Sequence, residues 1–94
     1  MAVFNIGLKM AQKEKLTKRV LSIPSDLTWQ ELSSFLSSLG YQEEAKGKTG
    51  GSRRRFANKK TGLMMNLHKP HPSSIVKKYA IRQVIEELKM EKIL

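Results

Sequence analysis

The sequence predicts an α+β fold in the order helix, helix, three strands, helix, and three observations carry that prediction. The stretch "DLTWQELSSFLSSLGY" reads as a capped amphipathic helix. Three short segments of strand character, divided by glycine-containing turns, follow it, and a second helical stripe in "KKYAIRQVIEELKM" comes after them. With 94 residues, 39% hydrophobic and 6% aromatic, the chain suits one compact domain with a modest core, not a disordered segment. We expect residues 1–24 to form an N-terminal tail with a short helix, and residues 25–94 to form the principal domain.

Residues 1–8 show no decisive pattern and are expected to fray. In "QKEKLTKRVLSIPSD", Leu16 and Val20 stand one turn apart and Pro24 stops the run, which predicts a short helix with a packing role. Thr28 and Glu31 then have the spacing of a capping box, and Trp29, Leu32, Phe35, Leu36 and Leu39 recur at helical spacing. Gly40 falls where a helix end wants a residue that tolerates left-handed backbone. Trp29 belongs to the apolar stripe and is expected as a core or interface anchor, not a base-stacking platform.

The segments "YQEEAK", "SRRRFA" and "LMMNLH" are joined by "GKTGG" and "NKKTG" and ended by "KPHP", an antiparallel meander. Side chains alternate along a strand, so Leu63, Met65 and Leu67 share one face and Met64, Asn66 and His68 the other. Met64 and Met65 are both read as packing residues. Arg54 shares a face with Phe56; if Phe56 points inward, Arg53 and Arg55 point out, with the register left open. The last helix places Ile81, Val84, Ile85 and Leu88 on one stripe and Lys77, Lys78 and Arg82 near its start.

The charge is +10, from 18 Lys and Arg against 8 Asp and Glu. Its distribution narrows the partner. From Lys46 to Ile85 the chain carries Lys46, Lys48, Arg53, Arg54, Arg55, Lys59, Lys60, Lys69, Lys77, Lys78 and Arg82, and no acidic residue. A solvated coat mixes signs, so a window of one sign points to nucleic acid. No helix joins a basic face to a broad apolar one, which disfavours a membrane surface. With no cysteine and two histidines, no metal, redox chemistry or cofactor is expected. The brief apolar run near the start lacks a basic region and cleavage-like site, and nothing reaches membrane-spanning length, so the cytoplasm is the expected compartment. The "GKTGG" turn lacks the spacing of a phosphate loop and reads as a hairpin.

From Thr28 to about Leu88 the chain resembles the HicA family of toxin–antitoxin systems. "LSSFLSSLGY" is similar to that family's leading helix, "GGSRRRF" to its Gly-Ser-His-x-x-Phe segment, "GLMMNLH" to its last strand, and "VKKYAIRQVIEEL" to its closing helix. The resemblance implies a double-stranded-RNA-binding-like fold with helices on one face of a three-stranded sheet. It also implies a small, metal-independent ribonuclease that cuts messenger RNA until a HicB-type antitoxin covers it.

The chain departs from the motif where the family carries its catalytic histidine: Arg53 follows Gly51-Ser52. Cleavage through the 2′-hydroxyl needs a base and a stabiliser of phosphorane charge, and arginine supplies only the second because it keeps its proton. His68 is the candidate base, because the strand holding Arg53 lies beside it in a meander and imidazole titrates near neutrality. The alternative is that His68 only closes its strand. His71, between Pro70 and Pro72, is a weaker candidate base on the same grounds and reads first as a loop residue held extended by its neighbours. Lys48, Ser52, Arg53, Arg54, Arg55, Lys69 and Lys78 are the candidate RNA contacts, and Tyr79 either stacks on RNA or caps its helix. Three functions stay open: a ribonuclease toxin, a non-catalytic RNA-binding module of the same fold, or a basic module that docks an acidic protein.

RNA binding through this surface releases counterions, so affinity should fall with salt at a slope of roughly 0.7–0.9 per phosphate contact. Replacing Arg53 and Arg55 together should flatten the slope measured by filter binding across a salt series; an unchanged slope places the binding face elsewhere.

Overall fold

A computed structural model describes residues 13–44 and 53–94. The readings of residues 1–8, of the "GKTGG" turn, and of Lys48 and Ser52 lie outside the described residues. The elements are α1 (residues 13–21), α2 (Trp29–Ser38), β1 (Tyr41–Glu43), β2 (Arg53–Asn58), β3 (Met64–His68) and α3 (Lys78–Met90). Their order is the expected one, and the sheet runs β1-β2-β3 with both pairs antiparallel. The arrangement is the double-stranded-RNA-binding-like one.

Helix α1 stops because Pro24 follows closely. The amide of Ile23 donates to the Val20 carbonyl at 3.0 Å with φ at +50°, a backbone setting that a β-branched residue seldom takes. Ile23 packs against the core, which offsets that strain, and Val20 within α1 is fully buried. Helix α2 starts on the predicted capping box: Glu31 N–H donates to Thr28 Oγ1 at 3.1 Å, and Thr28 N–H donates to Glu31 Oε1 at 3.0 Å. Gly40 ends the turn at φ +98°, where a side chain is strained.

The core collects Leu27, Leu32, Phe35 and Leu36 with Tyr41 and Phe56 of the sheet and Ile81, Val84 and Leu88 of α3, each at most 1% exposed. Trp29 is buried as expected, its ring 5.7 Å from that of Phe56 and tilted 56°, within the range favourable for aromatic pairs. Phe56 lies opposite Met65 and Arg54 opposite Leu67, so this side of β2 and β3 faces the helices. The packing role read for both methionines holds for Met65 alone. Met64 is 59% exposed, because alternation along the strand overrides its apolar character.

Asn58 is the buried polar hub. Its Nδ2 donates to the Leu39 carbonyl at 3.2 Å, and its Oδ1 accepts from the amides of Lys60 at 2.9 Å and Thr61 at 3.3 Å. It thereby ties the end of α2 to the β2–β3 turn. A second tie joins α1 to α2: Arg19 binds Glu31 at 2.7 Å and Asp26 at 3.1 Å.

Asn58→Ala strands a buried carbonyl and the turn amides, and we expect it to cost about 1–3 kcal/mol of stability in urea unfolding. The Arg19 guanidinium, followed by the Thr28 amide, pulls the Glu31 carboxyl down to about 2. A carboxyl depressed in the folded state gives stability that is complete above its ordinary value of 4.5 and is lost as pH falls toward about 2. Glu31→Gln should therefore lower stability at neutral pH and shrink the further loss seen on going to about pH 3; an acid dependence equal to that of the wild type contradicts this role.

Candidate nucleic-acid interface

The sheet face turned away from the helices carries Arg53, Arg55 and Ala57 from β2 and Met64, Asn66 and His68 from β3. Arg53 is the direct cross-strand partner of His68, and Arg55 of Asn66. Asn58 N–H donates to the Leu63 carbonyl at 2.8 Å, so by the alternation of antiparallel ladders Arg53 and His68 form a non-hydrogen-bonded pair, the kind whose side chains stand closest. Both side chains are exposed. An imidazole and a guanidinium thus share one edge of the outer face.

The three arginines differ in their surroundings. Arg54 turns to the helix side, where its Nε lies 3.1 Å from Glu43. Arg55 faces out and reaches Glu44 at 3.8 Å. No ion pair among the described residues involves Arg53. Lys69 follows His68 and is exposed, and Lys78, the first residue of α3, is exposed as well. Lys59 and Lys60 lie in the turn at the other end of β2, so the basic window of the sequence is divided between two ends of the sheet.

A cleft of about 250 Å³ opens beside His68, between the β3–α3 connection and the start of α3, with Lys69, His71, Lys77 and Tyr79 on its walls and no carboxylate. The connection is fixed by backbone pairing to the chain ahead of α2. Trp29 N–H donates to the Ser74 carbonyl and Val76 N–H to the Leu27 carbonyl, both at 2.7 Å, around a Thr28–Ile75 bridge. Lys77 starts α3 without a side-chain cap. His71, the weaker candidate base that the sequence reads first as a loop residue, lines this cleft, and so does Lys77, which is not among the RNA contacts expected from the sequence. The juxtaposed "KKY" at a helix start was the available signal.

Among the described residues no group of His, Cys, Asp and Glu has the makings of a metal site, and no helix is long and apolar enough to cross a membrane. No curated protein and no solved structure gives a match to the chain. A family model described as the HicA toxin of bacterial toxin-antitoxin matches residues 29–90. The match runs from the first residue of α2 to the last of α3 and takes in Arg53, His68 and the cleft. Over two thirds of its length, roughly, and across every element of the sheet, the chain therefore belongs to the HicA toxin family, the toxin side of a toxin–antitoxin system.

Proposed function

We propose that the protein is an endoribonuclease that cuts messenger RNA without a metal ion and is silenced by an acidic antitoxin of the HicB type. The observation that carries this reading is the pairing of Arg53 with His68 on the exposed sheet face. His68 takes the proton of the ribose 2′-hydroxyl, and the freed oxygen attacks the neighbouring phosphorus. Arg53 holds the phosphate and stabilises the charge that builds on its oxygens. As the bond from phosphorus to the 5′-oxygen breaks, the leaving oxygen takes a proton from water or from the adjacent Lys69 ammonium. The products are a 2′,3′-cyclic phosphate and a 5′-hydroxyl. Lys69, Lys78 and Arg55 extend the basic surface for the RNA backbone, with Lys48 and Ser52 assigned to the same surface from the sequence; Arg54, expected there too, is instead on the helix side against Glu43, because it shares the strand face of Phe56. An antitoxin that covers this face supplies carboxylates where RNA supplies phosphates, and the toxin acts in the cytoplasm where messenger RNA is found.

A non-catalytic RNA-binding role is the second reading, and Arg53 at the family's histidine position is what favours it. One set of variants separates the two. His68→Ala should lower cleavage of single-stranded RNA in excess chelator by about 10²- to 10⁴-fold with fold and RNA affinity kept, because a base acts in the transition state. Arg53→Ala should weaken binding and cleavage together, and Arg53→His should support cleavage even beside His68→Ala. Full cleavage by His68→Ala protein rules out the mechanism. A wild type that binds RNA but never cuts it, with cleavage gained by Arg53→His, establishes the second reading.

A further inference from the structure

We propose that the cleft beside His68 is a subsite for one unpaired RNA base, stacked on Tyr79, belonging to the nucleotide next to the phosphate at Arg53 and His68. The proposal rests on the reading of this protein as an RNA-cleaving toxin.

Among the described residues, Tyr79 is set apart from the other aromatics. Trp29, Phe35, Tyr41 and Phe56 are all buried, whereas Tyr79 is 66% exposed at the first turn of α3. The core makes no use of its ring. Packing therefore does not account for an aromatic side chain among the lining of the cleft, and a ligand that stacks on aromatic rings does.

The size and chemistry of the cleft define that ligand. At about 250 Å³ it falls just below the range of roughly 300–1,000 Å³ that houses a drug-sized molecule, and so suits a single ring system. Ile75, Val76 and Ala80 give it apolar walls, while Lys69 and Lys77 bring positive charge to a lining that holds no carboxylate. Apolar walls with cationic groups suit a base carried on a phosphate backbone better than an acidic protein side chain, which has no face to stack. His68 belongs to both the cleft and the outer sheet face. A strand with its reacting phosphate at the Arg53–His68 pair thus has its adjacent nucleotide at the mouth of the cleft. The backbone pairing of residues 27–29 with 74–76 holds the far wall in place before RNA arrives.

A base enters such a cleft only when it is out of a duplex stack. Despite its double-stranded-RNA-binding-like fold, the protein should therefore act on unpaired RNA.

The test uses single-stranded oligoribonucleotides with a 2′-deoxy residue at the cleaved position, so that binding is read without turnover. A second set carries an abasic residue on one or the other side of that position. Tyr79→Ala, exposed enough to leave the fold intact, should raise the Kd for the intact strand about tenfold, while Tyr79→Phe should bind like the wild type. Wild type and Tyr79→Ala should bind one of the two abasic strands equally, which identifies the nucleotide that fills the cleft. Equal binding of the intact strand by wild type and Tyr79→Ala overturns the proposal while leaving the ribonuclease reading in force. So does a Tyr79→Ala protein that loses affinity only for its antitoxin, since the cleft is then a protein contact. A wild type that neither binds nor cuts RNA overturns the ribonuclease reading, and this proposal with it.

Discussion

Burial of Phe56 against Trp29 decides which way every other residue of β2 faces. Successive side chains of a strand point to opposite sides, so fixing one fixes all. With Phe56 under the helices at 1% exposure, Arg53 and Arg55 have only the outer face left. A slip by one residue puts Arg55 in the core and Phe56 in water. That loses roughly 1.5–3 kcal/mol of aromatic burial and adds several kcal/mol for an unpaired buried guanidinium. β3 answers with the same logic, because Met65 and Leu67 are buried on the helix side while Asn66 and His68 stay in solvent. The position of the candidate base thus depends on a hydrophobic contact on the opposite side of the sheet.

Once the faces are set, β1 sorts the arginines. Glu43 and Glu44, at the end of the neighbouring strand, engage Arg54 and Arg55, one on each face. The Arg55 pair is long at 3.8 Å, with both side chains about 40% exposed, and exposed pairs of this sort contribute about 0–1 kcal/mol. Exchanging that carboxylate for a phosphate, as the proposed function asks of Arg55, costs little. Arg54 is held closer, at 3.1 Å, on the helix side, which fits it to brace the sheet edge more than to reach across the outer face. Consecutive arginines therefore occupy different electrostatic settings, and Arg53, nearest the strand end and opposite His68, is the one with the fewest competitors among the described residues.

Local rules made most of the fold legible in the sequence. The Thr28–Glu31 box, the Gly40 stop and the stripe through Leu88 each depend on residues within a few positions of one another, and the structure bears out all three. The strand faces followed from alternation once Phe56 was taken as the inward anchor. Met64 was misread because a general property of methionine was set above its parity on the strand. Asn58 escaped notice because its partner Leu39 lies 19 residues away, and a turn asparagine looks the same whether or not it is buried. The cleft was hidden for a similar reason: backbone bonds between residues 27–29 and 74–76 make its wall, and such bonds leave no side-chain signature.

The Arg53–His68 pair also bears on the proposal that Arg53 stands where the motif the chain resembles has a histidine. Position 53 and position 68 are cross-strand neighbours on one face, so a phosphate seated between them is within reach of side chains from both. At such a pair the work divides, one side chain accepting a proton and the other neutralising charge. Arginine is confined to the second task because it does not release its proton. With Arg53 in place, any proton removal assigned to this pair falls to the imidazole on β3. The two-residue period that Phe56 imposes on the sheet is what brings that imidazole alongside the guanidinium.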